Sequence, residues 1–274
     1  MRISRTENLT GGVVLVGLVI FTLMPFVSLF SVALAPANTL PSGLSFAGHL
    51  HWGNFATAFQ LAHFPTLMVS SATLVAVVVP LVLLFSTMAA YSLTWLRVPA
   101  GGVLFVVFLT GLTIPTESLI TPLYLTMSQL HLTNTVWSVA LPLTAFQMPF
   151  GVFWMRSHFL GMPAEIEEAA QVDGAGPVRT FLQIQVPLAR AAISTMVILS
   201  FLWTWNHFIL TLVMIDDPAK RTVGGALAGF QGAHATDVVM LCAAALLMMI
   251  PTLLVFAVFQ RQFRAALLQG SVKA

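Results

Sequence analysis

Between its fourth and fifth apolar stretches the chain reads Glu168-Ala169-Ala170-Gln171-Val172-Asp173-Gly174-Ala175. The rest of the sequence is almost entirely compatible with hydrocarbon, whereas this segment combines charged residues with alanines that favour a helix. Phe181, Ile184 and Pro187 follow it. The segment therefore predicts a compact helical element outside the membrane, in a chain that otherwise lies largely within it.

The composition excludes an ordinary soluble domain. Hydrophobic residues make up 58% of the 274 residues, charged residues make up 7%, and the mean hydropathy is +0.94. Soluble domains carry about 25% charged residues. The pI near 9.1 rests on a net charge of only +2, and no basic stripe with interleaved aromatic residues occurs, so nucleic acid is excluded as a partner. The single cysteine, Cys242, permits no internal disulfide.

Six apolar stretches are long enough to cross about 30 Å of hydrocarbon. The sequence therefore predicts an all-α membrane protein with six transmembrane helices in one membrane domain, residues 11–260. A short N-terminal tail (1–10) precedes this domain and a C-terminal tail (261–274) follows it. The predicted spans are 11–35, 66–96, 101–127, 136–156, 191–214 and 238–260.

The first apolar stretch has some features of a secretory signal peptide. Arg2 and Arg5 precede it, and residues 33–35 (Ala-Leu-Ala) have the small-residue pattern of a cleavage site. Its apolar region, however, runs for about 25 residues, whereas a signal sequence has roughly 7–15. Pro36 would also follow the cut directly. We therefore predict that the first span stays uncleaved.

The basic residues are distributed unequally between the two sides of the predicted membrane domain. With the N-terminus inside, nine of the 11 Lys and Arg residues lie in inner segments, and the outer segment 36–65 has none. Because inner loops carry the excess of basic residues, this distribution predicts that both termini and the loop 157–190 are cytoplasmic. The two outer basic residues are Lys220 and Arg221. The nine inner ones are Arg2, Arg5, Arg97, Arg156, Arg179, Arg190, Arg261, Arg264 and Lys273.

The loop 157–190 has the local signals of a short helix followed by a chain reversal. Pro163 suits the first turn of a helix, and Glu165 and Glu167 lie where the positive end of the helix dipole favours anions. Gly174 is a natural C-terminal stop, and the Gly-Pro pair at 176–177 then leads to a second short helix. These signals alone leave two alternatives: a helix that contacts another protein, or a solvated loop on the membrane surface.

The spacing in this loop resembles the EAA loop of ABC importer permeases. In that pattern a glycine follows Glu-Ala-Ala after three residues, and Ile-x-Leu-Pro follows after nine more. The chain fits at every position except Val186, which stands where Leu is usual. The resemblance implies that the short helix docks in a cleft of a separate ATPase subunit and that force passes through this contact. The coupling residues that it implies are Glu168, Ala169, Ala170, Asp173, Gly174, Ala175, Ile184 and Pro187.

Other segments are similar to carbohydrate importers of the maltose type, and most of all to the MalG-like partner of the permease pair. The alanine-rich style is similar to actinobacterial amino-sugar importer permeases. Three departures, Ser70 for Asn, His207 for Glu and Ala191 for Pro, leave the identity of the sugar open. The similar segments are 160–175 (LP-x-ELEEAA-x-IDGA), 89–93 (AAYAL), 114–117 (Pro-x-Glu), 203–206 (WxWN) and the tail 268–274 (GAVKG).

This resemblance implies a non-catalytic permease subunit in the cell membrane of a bacterium, with no cofactor of its own. ATP and Mg²⁺ would be bound by two separate ATPase subunits. A second homologous permease would complete the path through the lipid bilayer, and an extracytoplasmic solute-binding protein would deliver the sugar substrate.

Two polar residues lie inside predicted spans and are expected to be buried there. Glu117 and Asn206 would be costly in hydrocarbon unless paired or wetted, so they are expected to face the interior of the helix bundle. They are candidates for lining the sugar path, and Trp203 and Trp205 are candidates for stacking on sugar rings. The alternatives are hydrogen bonds that hold the bundle together for the polar residues, and packing or interfacial positions for the tryptophans.

Other functional classes have weaker support in the sequence. The pattern G-x-x-x-x-G-K-[ST] is absent, so the chain has no P-loop to bind ATP phosphates. His49 and His51 have the spacing of metal ligands, but no carboxylate or cysteine joins them. A six-span secondary transporter is an alternative, although it would be expected to show carboxylates in several spans and inverted repeats. A membrane-embedded serine protease is a weaker one, since the nearest serine motif (43–45) lies in an outer loop.

Overall fold

The computed structural model describes residues 5–36, 39, 49–227 and 237–271. Within these ranges the chain is almost entirely helical and contains no β-strand. It divides into two compact units, Met1–Phe64 with Ala226–Ile250, and Pro65–Gly225 with Pro251–Ala274. The prediction of an all-α protein is confirmed.

The first unit contains helices α1 (Arg5–Ala33) and α2 (Gly53–Leu61) and the beginning of α13 (Val238–Ser271). Small side chains pack these elements together, among them Ala33, Ala58 and Ala243, each fully buried. The Asn54 amide donates hydrogen bonds to the carbonyls of Ala33 and Ala35, at 2.9 and 2.8 Å. Because the last carbonyls of a helix have no partner within it, this side chain completes the end of α1.

The second unit contains the remaining helices. Its long members are α3 (Phe64–Trp95, whose first residue belongs to the first unit), α6 (Val136–Leu160) and α10 (Arg190–Trp205). The shorter ones are α4 (Gly101–Gly111), α5 (Ile120–Gln129), α7 (Ala164–Val172), α8 (Pro177–Thr180), α9 (Val186–Leu188), α11 (Ile209–Met214) and α12 (Val223–Ala226), with 3₁₀ turns at Thr116–Leu119 and Pro218–Lys220 and a π-helical turn at Phe181–Gln185.

The core of the second unit lies where α3, α6 and α10 meet. Val78 and Val82 of α3 pack in one cluster with Leu143 of α6 and Met196 of α10, and all four are 0–2% exposed. Gly151 permits a close approach of α6 to α3, since a Cβ atom at that position would lie 2.7 Å from the Cβ atom of Ser86. Close packing of this kind leaves little freedom for one helix to move without its neighbours.

Among the residues that the structure describes, four helices are long and apolar enough to cross a membrane, and the number rises to six if each of two bent helix pairs counts as one span. The four are Thr10–Ala33, Phe64–Trp95, Val136–Leu160 and Val238–Gln260, close to four of the predicted spans. The bent pairs are Gly101–Gly111 with Thr116–Gln129, at 93°, and Pro177–Leu188 with Arg190–Trp205, at 78°. The exact count of six therefore stays a prediction.

Two of the predicted spans are not continuous helices. The stretch 101–127 breaks after Gly111 and resumes at Thr116, because Pro115 has an extended backbone and cannot continue the helix. The stretch 191–214 ends at Trp205, and residues 206–208 separate α10 from α11. Most of the first half of the predicted outer segment 36–65, and the ends of both predicted tails, lie outside the described residues.

Candidate functional site

The helix α7 ends in a hydrogen-bond pattern that requires a glycine. Gly174 has φ +73°, in the left-handed region that other residues seldom adopt. Its N–H donates to the carbonyl of Gln171 at 3.0 Å, and the N–H of Ala175 donates to the carbonyl of Ala170 at 2.9 Å. These two bonds form a Schellman motif. The predicted helix stop at Gly174 is confirmed.

One face of α7 and of its C-terminal stop is exposed and carries four of the eight predicted coupling residues. Glu168, Ala169, Asp173 and Gly174 are exposed, and between them Val172 is 88% exposed. No heavy atom lies within 4 Å of where a Cβ atom on Gly174 would stand. The two remaining alanines of the motif differ from this face, because Ala170 is buried and Ala175 is half-buried.

Glu167 holds the opposite face of α7 and was not among the predicted site residues. It is 6% exposed, and its carboxylate accepts a hydrogen bond from the Tyr91 hydroxyl at 3.0 Å and another from the Gln185 amide at 2.8 Å. Within the described ranges no basic group lies within 4.0 Å of it. Tyr91 lies near the C-terminal end of α3, so this carboxylate joins α7 to α3 and to the π-helical turn. Its three-residue spacing to Ala170 places both on one helix face, but the sequence does not show that this face is the buried one.

The second half of the loop is a helical segment with a widened turn. Gln185 is fully buried in the π-helical turn Phe181–Gln185, and Phe181 packs against the ring of Tyr91 with centroids 5.1 Å apart. A proline ring crowds the carbonyl four residues before it, so Pro187 favours a wider turn at this position. Of the predicted residues here, Ile184 is half-buried and Pro187 is exposed.

A cavity of about 800 Å³ lies within the second unit. Residues at or beside both helix breaks, within 111–117 and 206–209, contribute to its wall, and α6 and α10 supply most of the rest, with Ile120 of α5 and Leu210 of α11. Apolar side chains predominate, with a few polar groups among them. These polar lining residues are Thr116, Glu117, Gln147, Asn206 and His207.

Three of the four predicted path residues line this cavity, and the fourth does not. Glu117, Trp203 and Asn206 are lining residues and are exposed, so the expectation that Glu117 and Asn206 are buried is wrong for the chain by itself. They lie at or beside helix breaks, where the cavity opens the bundle. Trp205 is 6% exposed and stacks on Phe201 with centroids 5.4 Å apart, so the structure places it in a packing position.

The cavity wall is braced by a buried hydrogen-bond network that sequence reasoning missed. Gln147 of α6 donates to the Thr204 hydroxyl at 3.0 Å and accepts a hydrogen bond from the Ser200 hydroxyl, both on α10. Phe150 packs edge-to-face on Trp203 with centroids 5.0 Å apart. Glutamine and serine are unremarkable in a membrane helix, and only their pairing across two helices gives them this role.

Asn206 ends α10 and bonds to its own helix. Its side-chain amide donates to the carbonyl of Leu202 at 2.8 Å, four residues earlier. The same carbonyl also accepts the backbone N–H of Asn206 at 3.1 Å, so both donors of this residue turn back onto the end of α10. No hydrogen bond from Asn206 to another helix is found in the described ranges, which disfavours the alternative of an amide that ties helices together.

Comparisons with known proteins agree with this architecture. The chain is similar to the diacetylchitobiose uptake system permease protein NgcG of Streptomyces coelicolor, with 32% identity over 236 residues that cover 85% of this chain and 78% of that protein. It is also similar to the trehalose transport system permease protein SugB of Mycobacterium tuberculosis, with 29% identity over 92% of this chain and 93% of that one. Among solved structures, a chain of a bacterial ABC transporter involved in the import of the acidic polysaccharide alginate matches with a TM-score of 0.76 and 22% identity, covering 94% of this chain and 98% of its own. That last match shows the fold alone.

The family model described as binding-protein-dependent transport system inner membrane component matches residues 82–268. This range includes the EAA loop, both helix breaks and the cavity. Members of this family are non-catalytic permease subunits, and a separate ATPase hydrolyses ATP. The chain therefore belongs to the family of binding-protein-dependent transport system inner membrane components and is a permease subunit of an ABC transporter.

Proposed function

We propose that this chain is the transmembrane subunit of an importer for a sugar or sugar derivative, a class that includes amino sugars and oligosaccharides. The names of its relatives support this proposal, since they are permeases for diacetylchitobiose and for trehalose. The complex would contain a second homologous permease, two ATPase subunits that bind ATP and Mg²⁺, and an extracytoplasmic solute-binding protein. The orientation would place both termini and the EAA loop in the cytoplasm, as the nine-to-two distribution of basic residues indicates.

The exposed face of α7 is the proposed contact with the ATPase, and it is the observation that carries the proposal. Buried Glu167 and Ala170 anchor α7 on one face, while the opposite face exposes Val172 between polar residues, so the helix offers a preformed surface for another protein. Glu168 and Asp173 add negative charge beside it. On this reading Glu168, Ala169, Asp173 and Gly174 contact the ATPase, Ala170 and Ala175 support the helix from behind, and Ile184 and Pro187 shape the second half of the loop.

The cavity is the proposed part of the translocation path that this subunit supplies. Its volume of about 800 Å³ lies within the range of small-molecule sites. A sugar presents hydroxyl groups at its edges and C–H groups on its faces. Glu117 and Asn206 offer hydrogen bonds to the former, and the indole of Trp203 offers an apolar surface to the latter. Trp205 takes no direct part in this proposal because it does not line the cavity.

The experiment uses the assembled importer, purified with its ATPase and assayed with a panel of radiolabelled sugars. Gly174→Arg puts a bulky cation on the exposed face at a position that also disfavours any side chain, and Glu168→Lys reverses a charge on the same face. We expect both variants to insert and to pair with the second permease, while substrate-stimulated ATP hydrolysis falls on the order of tenfold, the equivalent of 1.4 kcal/mol of contact.

Gly53→Arg is the matched control. Gly53 is also exposed, has open space around it, and lies at the start of α2, outside the EAA loop and outside every predicted span. It is expected to keep wild-type stimulation. ATP hydrolysis at the wild-type level in the two loop variants would show that α7 is not the contact with the ATPase. If no sugar in the panel is transported, the proposal that the substrate is a sugar or sugar derivative is contradicted.

The role of the cavity has its own test in Asn206→Leu, which roughly preserves size and removes the polar group. Uptake of the transported sugar is expected to fall while assembly and thermal stability stay near wild type, because the amide bonds only to its own helix. If the variant instead fails to assemble with the second permease, Asn206 holds the bundle together and does not serve the path.

A further inference from the structure

Helix α3 is held by a hydrogen bond at each of its two ends, and each bond reaches a different part of the molecule. Near one end Tyr91 bonds to Glu167 of the EAA loop. Near the other end the hydroxyl oxygen of Ser71 accepts a hydrogen bond from the backbone N–H of Val223, at 2.8 Å. Twenty residues separate Ser71 from Tyr91, so the two bonds lie about 30 Å apart along the helix.

The bond at Ser71 lies next to the cavity wall. Ser71 is 1% exposed, so Val223 is held in a buried position. The next residue, Gly224, lies so close to the carbonyl of His207 that a Cβ atom on the glycine would be 2.9 Å from the oxygen. His207 lines the cavity and belongs to the break between α10 and α11. A displacement of α3 at Ser71 would therefore also displace the backbone at the break between α10 and α11.

Between its two ends α3 is one continuous helix, Phe64–Trp95, with Pro80 inside it. The proline removes one backbone hydrogen bond, so the rigidity of α3 on either side of it depends on packing. Leu74, Val78 and Val82 on its buried face are 0–2% exposed and pack in the main cluster of this unit. Interiors packed at this density transmit a displacement instead of absorbing it locally.

We propose that α3 links the EAA loop to the cavity, with Tyr91 and Ser71 as the positioning residues at its two ends. When the ATPase moves α7, Glu167 would carry the movement to Tyr91, α3 would carry it to Ser71, and Val223 and Gly224 would pass it to the break at His207. The inference rests on the proposed function of α7, and it adds a route by which the docking event reaches the path. Spatial connection alone does not prove coupling between two sites, so the test measures coupling directly.

The assay follows the accessibility of the cavity in the complete importer in membrane vesicles. Ile209 lines the cavity at the start of α11, and Ile209→Cys in a Cys242→Ser background provides one reactive thiol. Its rate of reaction with a membrane-impermeant maleimide is measured without nucleotide and after trapping with ATP and vanadate. The ratio of the two rates is the response of the cavity to the ATPase.

Tyr91→Phe and Ser71→Ala each remove one hydrogen-bonding oxygen and little else. We expect each to bring the ratio about fivefold closer to one, the effect of one buried hydrogen bond of about 1 kcal/mol, while ATP hydrolysis and assembly continue. Because the two residues act in series, the ratio in the double variant is expected to be no closer to one than the ratio in the more strongly affected single variant. Glu167→Gln keeps an oxygen for Tyr91 and should respond as wild type, since Gln185 can turn its amide to offer the oxygen that now has no partner.

Matched controls lie beside both residues. The hydroxyls of Ser92 and Thr73 bond only to the backbone of α3 itself, at Met88 and Val69. Ser92→Ala and Thr73→Val are therefore expected to leave the ratio unchanged.

The wild-type ratio tests the proposed function, and the ratios of the variants test the link through α3. A wild-type ratio of one would contradict the proposed ATP-driven function. A normal wild-type ratio with normal ratios in Tyr91→Phe and Ser71→Ala would overturn the link through α3, as would effects that multiply in the double variant. Failure of either single variant to assemble would also overturn it, because the bonds would then serve folding and not coupling.

Discussion

Replacing Glu167 by alanine removes the acceptor of two buried hydrogen bonds, whereas replacing its neighbour Glu168 by alanine removes an exposed side chain. The two adjacent glutamates are chemically identical and differ only in the face of α7 on which they lie. We expect Glu167→Ala to loosen the whole loop and Glu168→Ala to leave it folded.

The size of the effect follows from the partners that are left behind. The Gln185 amide is fully buried and would lose its acceptor, at about 1–3 kcal/mol. The Tyr91 hydroxyl would lose less, because the carbonyl of Pro177 is within 3.3 Å as a second acceptor. Removal of a buried carboxylate that has no cation within 4.0 Å among the described side chains returns part of this cost. We expect a net loss of roughly 2 kcal/mol in the local stability of the loop, which is an increase of about 30-fold in the fraction of open loop.

Trypsin measures this fraction directly. Arg179 lies in α8 and is exposed, and a protease cleaves after it when the loop opens. When opening and closing are fast, the rate of cleavage follows the population of the open form. In the purified permease pair without its ATPase, cleavage after Arg179 is expected to rise about 30-fold in Glu167→Ala and to change little in Glu168→Ala. Equal cleavage of the two variants would refute the assignment of Glu167 as the buried anchor.

Three further predictions concern other parts of the structure. Gly151→Ala should lower the free energy of unfolding by about 1–3 kcal/mol, because the added methyl group meets Ser86 at 2.7 Å, and Ser86→Gly should restore the thermal unfolding temperature; a fully stable single variant would contradict the close approach of α3 and α6. Trp203→Ala should reduce sugar uptake with little loss of stability, whereas Trp205→Ala should cost roughly 3–5 kcal/mol of stability, and the reverse result in thermal unfolding and uptake assays would exchange their roles. A cysteine that replaces Gln171 should react with a membrane-impermeant thiol reagent in inside-out vesicles and not in intact cells, and the opposite labelling would overturn the cytoplasmic position of the loop.

The local features of α7 were predictable because their causes are local. A helix stop at Gly174 depends on the residues within one turn of it, and the glycine, the alanines and the charges are all visible in the sequence. The burial of Glu167 was not predictable in this way. Its position in the first turn of a helix suggested an exposed charge near the helix dipole, and its true partner, Tyr91, lies 76 residues earlier.

The breaks in the third and fifth spans show a second limit. An apolar window reports that a stretch is compatible with hydrocarbon and does not report where its backbone stops being helical. Pro115 was visible, but a proline within a membrane helix is equally compatible with a bend. Asn206 and Trp205 are adjacent in sequence, yet one lines the cavity and the other is packed away from it. That difference depends on where α10 ends, which tertiary packing decides.

The two helix breaks also bear on how a transporter of this kind changes its substrate during evolution. Both breaks bring non-helical backbone to the cavity, at Leu112 and Ile114 on one side and at His207 and Phe208 on the other. The N–H groups of Leu112 and His207 bond within the chain, but a backbone carbonyl has a second lone pair that can accept a hydrogen bond from a hydroxyl group, and no substitution removes that oxygen. In the proposed role of this cavity as part of the path, such a wall would tolerate exchange of its side chains and still accept a hydroxylated solute. Such a path can be inherited almost unchanged while the solute it carries differs from one lineage to the next.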